Sequence, residues 1–212
     1  MRSLLRFAFH LFYNPFAFTY DFVSAVVSRG HWRAWTRAAL PLIVGTRVLE
    51  IPCGTGNLLL DLFEAGYQPI GVDLSAAMLG IASRKLRHVG AHSRAPLMCA
   101  RVQELPFLSA AFDSIVMTFP PGFVFDPPAL AELHRVLDDH GRLIWVDAGR
   151  LFARGAWSRA LNRALDAVGG EGGFERVAAQ VLSHAGFECK VETVRDDAST
   201  VKIAIANKRR NS

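Results

Sequence analysis

Cysteine is scarce and odd in number, with only Cys53, Cys99 and Cys189 in 212 residues. Three thiols in or beside apparent strands exclude a disulfide framework and point to a reducing compartment, so the protein is expected to be cytoplasmic. Metal-ligand spacing is missing as well. His88 and His92 stand four apart, but Gly90 separates them and no carboxylate or thiol cluster joins them, so no metal is expected. The aromatic N-terminus is shorter than the about 20 apolar residues that a membrane span needs. It does not read as a cleaved leader either, because His10 and Asn14-Pro15 interrupt it and no small-residue cleavage site precedes Asp21. Charged residues are few (20%) and hydrophobic ones many (51%), which excludes disorder. A net charge of +5 permits weak attraction to anionic surfaces without selecting one. Internal repeats and an interleaved basic and aromatic surface are both absent, so nucleic acid is not the expected partner.

What is present centres on Val48-Leu49-Glu50-Ile51-Pro52-Cys53-Gly54-Thr55-Gly56, followed by Asn57-Leu58-Leu59-Leu60-Asp61-Leu62-Phe63. The spacing predicts a buried strand, a tight glycine turn and an amphipathic helix. Glycine lets backbone pass close to a ligand, and the helix start directs free N–H groups at it. A dinucleotide fingerprint requires a third glycine where this chain has Leu59, which demotes nicotinamide chemistry to third rank. Gln68 to Asp73 reads as a second strand ending on a carboxylate, placed where doubly wound sheets bind ribose hydroxyls.

Glu50 to Gly56, with Gly71-Val72-Asp73-Leu74-Ser75, resembles a class I S-adenosylmethionine-dependent methyltransferase of the small-molecule type. Leu105-Pro106-Phe107 with Ala111 to Val116 resembles that family's adenine loop and fourth strand. Leu130 to Leu137 resembles its next helix, and Gly141 to Val146 its fifth strand. The resemblance runs in order from about Val48 to Asp147. It implies an α/β, Rossmann-like, doubly wound and mostly parallel seven-stranded sheet, with helices on both faces and an N-terminal helical lid. It also implies S-adenosyl-L-methionine as cofactor and a small-molecule acceptor. Glu50, Ile51, Pro52, Cys53, Gly54 and Gly56 are then expected around the methionine moiety, and Asp73, Leu74 and Met78 around the ribose. Val102 and Gln103 are expected to flank the adenine, with Thr118 and Phe119 near the sulfonium. Tyr20 would reach the cofactor from the N-terminal segment.

Two residues depart from the family pattern. Arg101 stands where an acid usually accepts from the adenine amino group, and a guanidinium has donors only. The Val102 N–H and the Gln103 carbonyl are the alternative partners, with Arg101 stacked on the purine. Pro52 replaces a common glycine and has no N–H to offer. These departures keep a second reading open, a non-catalytic cofactor-binding or partner-binding member of the same fold. In Phe119-Pro120-Pro121-Gly122-Phe123-Val124-Phe125, Phe119 occupies the place of the asparagine that base-methylating relatives use, which argues against a nucleic-acid substrate. Phe119, Phe123 and Phe125 then either wall a substrate pocket or pack under the N-terminal helices.

Residues 1–45 are expected to form an N-terminal helical segment, 46–207 the methyltransferase domain and 208–212 a basic tail. Two short helices meeting at Asn14-Pro15 either complete the core, close over the cofactor or lie in a membrane interface. Trp32 and Trp35 are expected to pack. Ser75 should cap a helix over Ala76 to His88. A helix over Leu151 to Val168, a glycine joint at Gly169 to Gly173 and a helix from Phe174 to His184 closed by Gly186 come next. Two final strands, Phe187 to Val194 and Thr200 to Ala206, complete the sheet. His31, Tyr20 and Asp126 are candidate general bases, and no spacing singles one out as catalytic.

Overall fold

The computed structural model describes residues 20–152, 155, 159 and 173–209. Strands β1 (Arg47–Glu50), β2 (Gln68–Asp73), β3 (Leu97–Cys99), β4 (Phe112–Thr118), β5 (Leu137–Leu151), β6 (Phe187–Arg195) and β7 (Ser199–Lys208) form one sheet. Its order is β3-β2-β1-β4-β5-β7-β6. The first five strands are mutually parallel, and β7 runs antiparallel between β5 and β6. Successive strands progress outward from β1 to β3, then β4 returns to the other side of β1. That reversal opens a crevice beyond the C-terminal ends of β1 and β4, the place where such sheets bind ligands.

Strict alternation on central strands buries both faces. Leu49, Ile115, Met117, Leu143, Trp145 and Ala204 belong to one core layer, with helices α5 (Pro127–Val136) and α6 (Phe174–His184). Val48, Val116, Ile144, Val146, Ile203 and Ile205 belong to the opposite layer, with Leu58 and Leu62 of α3 (Asn57–Glu64) and Trp35 of α2 (Trp32–Arg37). Trp35 lies against Gly149, where an added Cβ would stand 2.5 Å from the indole. Both tryptophans pack, as expected from the sequence. Leu59 occupies the place of the missing third glycine and is fully buried. The close approach it prevents on the helix is provided from the strand, since a Cβ on Gly71 would meet Leu59 at 3.0 Å.

Local signals decide most element ends. Ser75 caps α4 (Ala76–His88) by accepting from the Met78 N–H at 3.2 Å. Gly186, at φ +84°, follows the end of α6. Other ends shift. Leu137 pairs with Phe112 as the first residue of β5 instead of ending the preceding helix. Leu151 lies in the same strand opposite Ser199, so the segment expected to be helical from Leu151 begins as strand, and most of the rest of it, with all of the Gly169 to Gly173 joint but Gly173, falls outside the described residues. Lys208 belongs to β7 and pairs with Asp139 at 3.0 Å, so the strand enters the segment read as a basic tail. The helices expected around Asn14-Pro15 also lie outside the described residues. Among the described residues no helix is long and apolar enough to cross a membrane.

Candidate cofactor site

At the crevice, the chain leaves β1 through a cis Ile51-Pro52 bond and turns at Gly54 (φ +51°) and Gly56 (φ +77°) into α3. The two glycines have different duties. A Cβ on Gly56 would meet the Ala82 Cβ of α4 at 2.8 Å, so this residue is required for packing. A Cβ on Gly54 would meet nothing within 4 Å, so this residue borders open space. Asp73 holds the turn in shape. Its carboxylate accepts from the Gly54 N–H and the Ser75 N–H, both at 2.8 Å, tying the glycine loop to the end of β2. Burial raises the Asp73 pKa despite these two N–H donors. Beside it Leu74 is 70% exposed, an apolar side chain uncovered next to a buried carboxylate.

Glu50 ends β1 with 2% exposure, and its Oε2 has no hydrogen-bond partner among the described residues. Burial pushes its pKa well above the carboxylate range, and the nearby Asp73 and Asp61 push it further. An unpaired buried carboxyl is costly unless something supplies a donor or a positive charge. The methionine ammonium of the expected cofactor is such a group, so this edge fits it. Ile51 and Cys53 are buried, with the Ile51 side chain in the core and the Cys53 Sγ beside Gly71 of β2. Burial raises the Cys53 thiol pKa well above its usual value. Met78 is fully buried in α4, so its side chain lies in the core.

After β3, Val102 is buried and its N–H donates to no acceptor among the described residues, while Arg101 is exposed. Gln103 donates from Nε2 to Asp126 Oδ2 at 2.6 Å. Two α5 residues that sequence reasoning passed over brace this loop. Glu132 accepts from the Leu105 N–H at 2.9 Å, and Arg135 donates to the carbonyls of Leu105 and Phe107 while pairing with Glu132.

Phe119, at φ +47° after β4, stacks on Trp32 with ring centroids 4.2 Å apart, and its N–H donates to the Val146 carbonyl. Phe123 packs against the other core layer and Phe125 is 58% exposed, so the three rings form no common wall. Thr118 is half-buried where β4 ends. Tyr20, on α1 (Tyr20–Val27), meets Trp32 edge-on at 6.3 Å.

Its neighbour Asp21 makes the contact that sequence reasoning missed. It accepts from Thr55 Oγ1 at 2.6 Å, Asn57 Nδ2 at 2.9 Å and Lys85 Nζ at 2.6 Å, fastening α1 to the glycine loop and to α4. Those partners lower its pKa although burial opposes them. Buried Asp61 of α3 pairs with Arg33 of α2 at 2.6 Å, a second tie of the same kind. A lone carboxylate on the apolar face of α3 was the available signal, because such a group demands a cation. His31 bonds Asp196 at 3.2 Å and Ser199 at 3.3 Å through the same Nδ1, which anchors α2 to the β6–β7 turn.

A seven-stranded sheet in this order, with one antiparallel strand, a glycine turn after β1 and an acid ending β2, defines the class I methyltransferase architecture. Residues 48–141 match the family described as methyltransferase domain. A demethylmenaquinone methyltransferase of Symbiobacterium thermophilum is 32% identical over 149 residues, covering 67% of this chain and 59% of that protein. The chain thus spans about three-fifths of the length of the curated relatives it matches. A methyltransferase of Thermotoga maritima, described as a possible histamine N-methyltransferase, shares the fold with a TM-score of 0.67 at 22% identity, covering 95% of this chain and 99% of that one. So does a geranyl diphosphate C-methyltransferase of Streptomyces coelicolor in complex with S-adenosyl-L-homocysteine, with a TM-score of 0.62 at 14% identity, covering 82% and 78%. The chain carries a class I S-adenosylmethionine-dependent methyltransferase domain.

Proposed function

We propose that the protein transfers the methyl group of S-adenosyl-L-methionine to a small, lipophilic acceptor of the quinone-precursor kind. The observation that carries the cofactor half is the edge formed by Glu50, Gly54 and Asp73, where an unpaired buried carboxyl, an open glycine and a buried acid meet. Glu50 and the turn from Ile51 to Gly56 hold the methionine moiety, Asp73 the ribose, and exposed Leu74 one face of the nucleoside. Val102 and Gln103 flank the adenine, while Thr118, Phe119 and Tyr20 border the reacting end. Bound there, the cofactor supplies a methyl on a sulfonium whose leaving group is a neutral thioether, so orientation and exclusion of water are the protein's share. His31 and Asp126 are each bonded within the protein, and neither is assigned a proton-transfer role.

Two observations support the acceptor half. The relative from Symbiobacterium is named for demethylmenaquinone. Phe22 (71% exposed) and Val26 present apolar surface four residues apart on α1, which a lipophilic acceptor or the membrane holding it would cover. The test is calorimetric titration with S-adenosylmethionine and S-adenosylhomocysteine, followed by methyl transfer to short-chain demethylated quinones. Binding of both, with turnover of an apolar acceptor, is expected. Absence of binding would overturn the cofactor half, and turnover confined to polar acceptors would overturn the other.

A further inference from the structure

Asp126 stands at the N-cap of α5, a position where an aspartate ordinarily accepts from its own helix, yet its side chain makes no capping bond. Pro127 and Pro128 remove the N–H donors of the first two helical positions, and the Ala129 N–H that is left at the third is not bonded to this side chain. The carboxylate reaches instead to Gln103, 23 residues earlier, and takes its Nε2 at 2.6 Å. A carboxylate only accepts, so this bond decides which way the amide faces. The NH₂ group is committed to Asp126, and Oε1 accepts no hydrogen bond among the described residues. Two residues before it stands Arg101, whose guanidinium offers donors alone.

We infer that Gln103 Oε1 is the acceptor by which this protein selects a 6-aminopurine, and that Asp126 is the positioning residue that holds the amide in its accepting orientation. The inference rests on the cofactor reading above. It transfers to a neutral amide the recognition that the acid would perform, and it gives Asp126 a role other than proton transfer. It also explains why Arg101 is tolerated beside the site, since that residue does not have to accept.

The test compares S-adenosylhomocysteine with its analogue carrying hydrogen in place of the 6-amino group, by calorimetry on the full chain. Wild-type protein is expected to prefer the amino form by about tenfold, the size of one hydrogen bond. Gln103→Leu should bind the deamino analogue as wild type does, which also shows that it is folded, and should lose the preference. Asp126→Ala, with the amide free to rotate, should lose most of it. The exchange pair Gln103→Glu with Asp126→Asn should restore it, because the asparagine NH₂ holds one carboxylate oxygen and leaves the other to accept. A preference that survives Gln103→Leu would overturn the inference, as would equal wild-type affinity for the two ligands. Equal affinity would leave the cofactor reading standing, whereas binding of neither ligand would overturn that reading and the inference with it.

Discussion

Replacing Glu50 with glutamine should stabilise the protein without cofactor and weaken it as a binder. The carboxyl is 2% exposed, one oxygen is unpartnered, and burial with two nearby acids raises its pKa well above the usual 4.5. Below pH 4.5 the group is protonated in both folded and unfolded chains and contributes no pH-dependent difference. As pH rises, the unfolded chain releases its proton while the folded one retains it, so stability falls by about 1.4 kcal/mol for each pH unit until the folded value is passed. Glu50→Gln removes that slope. The amide is as polar as the neutral carboxyl but never ionises, so the variant should differ little at pH 4.5 and gain about 1.4 kcal/mol over wild type for each pH unit above that until the folded value is passed. For a chain of this length each kcal/mol moves Tm by roughly 2–4 °C. Cofactor binding should move oppositely, since losing a charge-assisted hydrogen bond of about 1.5–3 kcal/mol weakens affinity about 10- to 150-fold. Calorimetric melts from pH 4.5 to 8 and titration with S-adenosylhomocysteine measure both quantities. Parallel pH–Tm curves for wild type and variant, or unchanged affinity, would refute the reasoning.

Other substitutions separate the functions of neighbouring residues. Gly56→Ala places a Cβ 2.8 Å from Ala82 at positive φ and should lower stability by about 1–3 kcal/mol in urea melts, whereas Gly54→Ala, with open space, should cost about 1 kcal/mol and chiefly reduce cofactor affinity. Asp21→Ala removes the tie between α1 and the glycine loop. Half-exposed pairs contribute at most about 1 kcal/mol, so global stability should change little while proteolytic cleavage within α1 and cofactor dissociation both accelerate. Asp113 accepts from Arg47 and from the Thr46 and Arg47 N–H groups, which lowers its pKa to about 2. Its stabilisation, of order 1–2 kcal/mol, is complete above pH 3.8 and disappears as pH falls toward 2, so Asp113→Asn should flatten acid unfolding in that window.

The glycine turn, the cap at Ser75 and the stop at Gly186 were all legible because each is decided within a few residues, by φ, by a missing Cβ or by a nearby N–H. Short continuous apolar runs such as Ile115-Val116-Met117 and Leu143-Ile144-Trp145-Val146 were enough to mark the central strands, since burial on both faces requires them. Long-range choices were not legible. Phe119 turns onto Trp32, 87 positions away, and so leaves Phe123 and Phe125, and His31 is occupied by a turn near the far end of the chain. Asp21 and Lys85 meet only because the fold brings the start of α1 against the glycine loop and α4, and Gln103 faces Asp126 only because the segments after β3 and β4 converge. Residue type by itself determined that a carboxylate at Glu50, Asp61 or Asp126 needs a partner. Which partner each one receives, or that Glu50 receives none from the described chain, was decided by the tertiary structure, because the pairing free energy depends on separation and burial that no local spacing specifies.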